Sequence, residues 1–112
     1  MEINVRKRSN AQLIQLRGSI KLGEAVDSLR GAMEELLTAG ETRMVLNLSE
    51  VPIVDSSGIG LLVRVLVSAK QRGGNVKLVN PSKFTMQTLR VVGVVNLFEV
   101  FENEDAAIDS FA

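Results

Sequence analysis

An α/β domain built on a mixed β-sheet is the fold this sequence predicts, and three observations predict it. Short apolar runs recur along the 112 residues, each too brief for a helix and rich in Val, Ile and Leu. Between the later runs lie longer stretches with apolar residues at helical spacing, the pattern of helical crossovers joining parallel strands. The first two runs are separated only by Ser9-Asn10, a turn that permits an antiparallel pair and no crossover. The expected architecture is therefore an N-terminal antiparallel hairpin continued by parallel strands, with helices packed on the sheet, in one domain spanning residues 1–112.

Taken in order, Ile3 to Lys7 and Gln12 to Arg17 are the hairpin strands. Gly18 to Lys21 is a loop. From Leu22 the apolar set Leu22, Ala25, Val26, Leu29, Met33, Leu36 and Leu37 repeats at helical spacing until Gly40, giving one amphipathic helix with a charged outer face. Arg43 to Leu48 is a largely buried strand, and Ser49 to Asp55 is a loop in which Pro52 removes a backbone donor. Ile59 to Lys70 is a helix apolar over most of its circumference, with Gly60, Arg64, Ser68 and Gln71 or Arg72 as one narrow polar stripe, closed by Gly73-Gly74. Val76 to Val79 is a short strand, Pro81-Ser82 opens a helix that Gly93 closes, Phe98 to Phe101 is an edge strand, and Asn103 caps a short last helix.

Composition excludes several classes of function. Thirteen basic and thirteen acidic residues leave no net field to steer toward nucleic acid or an anionic membrane. Without cysteine there is no disulfide framework and no thiolate metal site, consistent with a reducing compartment. The absence of histidine removes the usual general base, the usual partner of a nucleophilic serine and the commonest metal ligand, which argues against a serine hydrolase. No apolar run is long enough to span a bilayer and no signal peptide is evident, so a cytoplasmic protein without membrane insertion, metal or cofactor is expected. Glu34-Glu35 and the acidic residues Glu102, Glu104, Asp105 and Asp109 read as solvated faces or favourable first-turn charges.

Chemistry concentrates at Asp55-Ser56-Ser57-Gly58-Ile59-Gly60, where a buried strand hands over to the apolar helix. The first turn of a helix presents unpaired N–H groups and the positive end of the macrodipole, so a phosphate added there finds donors without a basic pocket. Asp55 and Ser56 are both competent N-caps. With either as the cap, Ser57 falls in the first turn with its hydroxyl free to point outward, and Gly58 and Gly60 leave the approach unobstructed. Asp55 has a second potential role, orienting the acceptor hydroxyl while repelling the finished phosphate. Two other phosphate motifs fail: Gly18 to Gly23 has P-loop glycine spacing but Glu24-Ala25 where lysine and a hydroxyl are needed, and Val63 stands at the third glycine position of a dinucleotide fingerprint begun at Gly58.

Val45-Leu46-Asn47-Leu48, the Asp55 to Gly60 motif, Gly73-Gly74 and Gly93-Val94-Val95-Asn96-Leu97-Phe98 together resemble the STAS domain of bacterial anti-sigma factor antagonists, almost from end to end. The resemblance implies a STAS-like fold and a partner switch rather than an enzyme. Its phosphoacceptor corresponds to Ser57. Unphosphorylated, such a protein binds an anti-sigma factor that is also a serine kinase and frees a sigma factor; phosphorylation ends the grip, and a metal-dependent serine/threonine phosphatase restores it. ATP and magnesium belong to the kinase. The implied partner-binding surface is Ile53, Asp55, Ser56 and Gly58, with the loop Ser19, Ile20, Lys21 and Leu22. One departure stands out: a Gly-Glu-Leu-Asp run is common after the second strand of the family, whereas this chain has Gly18-Ser19-Ile20-Lys21. That change leaves open a STAS module acting as a non-phosphorylated scaffold, in a stress-signalling assembly or as an accessory subunit of a lipid transporter.

Overall fold

Strand alternation and helix closure account for the architecture of the computed structural model, which describes residues 1–111. Five strands, β1 (Glu2–Arg8), β2 (Ala11–Arg17), β3 (Arg43–Glu50), β4 (Asn75–Val79) and β5 (Val100–Phe101), form one sheet in sequential order. β1 and β2 pair antiparallel through the Ser9-Asn10 turn, with Val5 opposite Ile14, and all later neighbours pair parallel. The crossovers are α1 (Glu24–Thr38), α2 (Ser56–Gln71) and α3 (Lys83–Val92); α4 (Glu104–Asp109) follows β5. The mixed sheet with its N-terminal hairpin is as the sequence predicts.

The two-residue period of the strands sorts their side chains between two layers. Ile14, Leu16, Met44, Leu46, Leu48, Val76 and Leu78 face α1, α2 and α3 and form the main core with Leu29, Met33, Leu62 and Leu66. Ala11, Leu13, Val45 and Val79 face the other way, onto Ala107 and Ile108 of α4. Three helices close in the same manner. The amides of Glu41, Gly74 and Val94 reach back five residues to the carbonyls of Leu36, Ala69 and Leu89, and those of Gly40, Gly73 and Gly93 reach Leu37, Lys70 and Arg90. At Gly93 this geometry requires φ of 87°, where a side chain is strained. Gly74 is held to glycine for a different reason, since a Cβ there would collide with the Thr42 carbonyl.

Four sequence expectations need correction. Leu22 is not the first apolar residue of α1: it lies in the preceding loop, 77% exposed. The exposed stripe of α2 is wider than expected, because Val67 joins Gly60 and Arg64 on it. The last strand shrinks to Val100–Phe101, because a 3-10 turn at Val95–Leu97 intervenes and Phe98 turns inward to the main core. Glu104 is a first-turn charge of α4, as one of the two expectations had it, but it is not left to solvent. Its Oε2 accepts from Gln15 Nε2 at 3.1 Å and Asn47 Nδ2 at 2.6 Å, tying α4 to the sheet, and Arg8 adds a 2.8 Å ion pair to Asp105.

Candidate functional site

β2 and β3 are parallel neighbours, so the loops leaving their carboxyl ends lie side by side. The structure joins those loops with hydrogen bonds. Ile20 N–H donates to the Ile53 carbonyl at 2.9 Å, and Asp55 N–H donates to the Ile20 carbonyl at 3.1 Å. Between them Ile20 and Val54 form a one-residue parallel bridge, with both side chains fully buried. A second brace comes from the start of α3, where the Ser82 hydroxyl donates to the Pro52 carbonyl at 2.9 Å while also capping its own helix at Thr85 N.

Asp55 completes the junction. Its backbone is extended, with φ of −78° and ψ of 179°, and its carbonyl accepts the first helical bond of α2 from Ile59. One carboxylate oxygen accepts from Gly58 N–H at 2.9 Å and the other from Leu22 N–H at 2.9 Å. The first bond makes Asp55, not Ser56, the N-cap; the second ties the β2–α1 loop to the helix start. Burial pushes the Asp55 pKa up, but the N–H groups of Gly58, Leu22 and Ser57, with the Lys21 charge, outweigh it and hold the carboxyl below its usual range.

With Asp55 as the cap, Ser56 and Ser57 are the first two residues of α2. Ser56 is exposed and Ser57 half-buried, and among the described residues no protein group hydrogen-bonds either hydroxyl. The Ser57 oxygen is thus neither sealed in the core nor remote from a helical start. Gly58 behaves differently from the expectation that it clears the approach to Ser57. It is buried, and an added Cβ would stand 2.7 Å from Val54 Cγ1, 2.8 Å from the Ile20 carbonyl and 2.9 Å from Ile20 Cγ2. Its missing side chain lets α2 seat against the joined loops. Gly60 faces open space.

The predicted partner-facing residues therefore divide. Ser56, Lys21 and Leu22 are exposed, and Ile53, Asp55 and Ser19 are half-buried. Ile20 and Gly58 are buried and work from beneath, by positioning Asp55, instead of by presenting side chains to a partner. Sequence reasoning did not find the Ser82 brace. Ser82 announces itself only as a helix cap, and nothing local signals its bond to a residue 30 positions earlier.

The fold that carries these paired loops is shared with known proteins. The STAS domain family matches residues 2–107. This chain belongs to the STAS domain family. A Thermotoga neapolitana protein named provisionally as an anti-sigma factor antagonist is 26% identical to this STAS domain over 76 residues, 68% of this chain and 67% of that one. Among solved structures, the anti-sigma factor antagonist SpoIIAA in its unphosphorylated form superposes with a TM-score of 0.85 at 22% identity, covering 98% of this chain and 96% of that one. The phosphorylated form of SpoIIAA, a cell fate determinant of Bacillus, gives a TM-score of 0.79 at 22% identity, covering 99% of this chain and all of that one. Among the described residues no helix is long and apolar enough to cross a membrane.

Proposed function

We propose that this STAS domain, taken as the whole of residues 1–112, is a cytoplasmic anti-sigma factor antagonist that works as a phosphorylation-controlled partner switch. Unphosphorylated, it binds an anti-sigma factor that is also a serine kinase, and a sigma factor is released. The kinase phosphorylates Ser57, which ends the grip, and a serine/threonine phosphatase resets the protein. The domain is a substrate and a ligand and not an enzyme, so ATP and metal ions act on the partners' side.

The observation that carries this reading is the Ser57 hydroxyl itself, on the second residue of α2 beside the N-cap Asp55 and unengaged by any protein group among the described residues. The helix dipole and first-turn amides favour an anionic ester there. The same ester would stand where a partner must pack closely over Ile53, Ser56 and the exposed Leu22, adding close to two charges to be desolvated. Because Asp55 is already held by Gly58 and Leu22, that cost falls on the partner contact and not on the fold. Ser57→Ala is expected to bind the kinase constitutively and Ser57→Asp at least about tenfold more weakly, a difference of about 1.4 kcal/mol readable by calorimetry. Equal binding by the two variants, or an intact complex in which ATP leaves Ser57 unmodified, would favour a non-phosphorylated scaffold instead.

A further inference from the structure

The residue after the Ile20–Val54 bridge is a lysine that the fold holds beside the proposed phosphoacceptor and leaves uncommitted. Lys21 is exposed, and among the described residues its ammonium group enters no ion pair. Its backbone position is nonetheless fixed. The preceding Ile20 is bonded to Ile53 and Asp55, the following Leu22 N–H is bonded to the Asp55 carboxylate, and the Lys21 carbonyl accepts from Val26 N–H at 3.3 Å in the first turn of α1. Both of its chain neighbours are therefore bonded to Asp55, which places Lys21 at the start of α2. Ser57 lies two residues beyond Asp55, in the first turn of α2.

We propose that Lys21 is the built-in counter-ion of a phosphate on Ser57, so that the phosphorylated state is stabilised from within the domain. The proposal rests on the reading of Ser57 as phosphoacceptor and adds to it the residue that receives the charge. Asp55 cannot fill that role, since its negative charge repels the ester and its oxygens are already engaged by Gly58 and Leu22. A lysine suits the position because its flexible stem carries a point charge that reaches an exposed oxygen without reorganising the loop. In the unmodified protein the ammonium group remains in water, available to a carboxylate on a partner. After phosphorylation the ester occupies it.

The test needs no kinase. Full-length protein carrying phosphoserine introduced at position 57 during translation is titrated by phosphorus NMR at low salt, alongside the same protein with Lys21→Met, Lys21→Arg or Lys21→Glu. A nearby cation favours the dianion, so Lys21→Met is expected to raise the second pKa of the phosphoserine by about 0.5 unit and Lys21→Glu by about 1 unit, with Lys21→Arg unchanged. The differences should shrink strongly at about 1 M salt, where exposed charges are screened. A Lys21→Met protein that titrates within about 0.1 unit of its parent at low salt would overturn the proposal. Because the phosphate is installed directly, failure of a kinase to modify Ser57 would refute the partner switch and leave this titration standing.

Discussion

Replacing Asp55 with alanine removes two interactions at once, and the structure allows the cost to be worked out. The N-cap bond to Gly58 N–H, 2.9 Å long, contributes about 1 kcal/mol at a typical helix start. The bond to Leu22 N–H is of equal length, but Leu22 is exposed and water can replace the lost acceptor, so about 0.5 kcal/mol is a reasonable share. Together these give about 1.5 kcal/mol. For a chain of 112 residues the unfolding entropy near 60 °C is about 0.24 kcal/mol/K, which converts the loss into a drop in Tm of about 6 °C. Circular dichroism melting would measure it, and amide exchange would locate it: the Gly58 and Leu22 amides should both exchange faster. Asp55→Asn should recover most of the cap and lose the loop bond, since the NH2 that replaces the second carboxylate oxygen cannot accept from Leu22 N–H. The pH dependence follows from the depressed Asp55 pKa. The carboxylate contributes its stability above the unfolded value of 3.8, and that contribution is lost as pH falls through the lower folded value, so the gap between parent and Asp55→Asn should close in that acid range. A drop in Tm below about 2 °C for Asp55→Ala at pH 7, with both amides still protected, would refute this account of the helix start.

Other substitutions separate positions that look alike in sequence. Gly58→Ala should destabilise by about 1–3 kcal/mol, because the added Cβ meets the Ile20 backbone carbonyl at 2.8 Å, whereas Gly60→Ala faces open space inside a helix and should be neutral or stabilise by up to about 1 kcal/mol. Urea unfolding of the two variants decides it. Glu104→Ala should lose about 1–2 kcal/mol by leaving the Gln15 and Asn47 amides without their shared acceptor, and hydrogen exchange should rise in α4 before it rises in β2 or β3. Ser82→Ala should remove both a helix cap and the brace on Pro52, costing about 1 kcal/mol in stability and loosening the Ile53 to Asp55 segment in amide exchange.

Much of this fold was legible because local signals and tertiary packing agree. The Ser9-Asn10 turn, the helix closures at Gly40, Gly73 and Gly93, and the short apolar runs of β2, β3 and β4 each specify the element the structure contains. The site was legible only in part. Asp55-Ser56-Ser57 declares a helix start, but which residue caps it depends on where the Gly58 N–H points, and the structure decides for Asp55. Gly58 and Gly60 are indistinguishable by spacing; only the approach of the Ile20 loop makes one a packing requirement and the other open surface. Ile20 read as loop because a one-residue bridge leaves no periodicity, and Leu22 read as helix because its spacing to Val26 and Leu29 fits one. Glu104 looked like surface charge because its partners lie 89 and 57 residues away. Apart from the choice of cap, which a bond three residues long decides, the missing information was a contact between segments distant in sequence.

The most direct test of the switch is a comparison of the unmodified protein with the same protein carrying phosphoserine at position 57, each titrated with its anti-sigma factor kinase while amide NMR spectra are recorded. Loss of binding by about tenfold or more, with chemical-shift changes confined to residues 19–22 and 53–60, is the predicted result. Undiminished binding by the phosphoserine protein would contradict it.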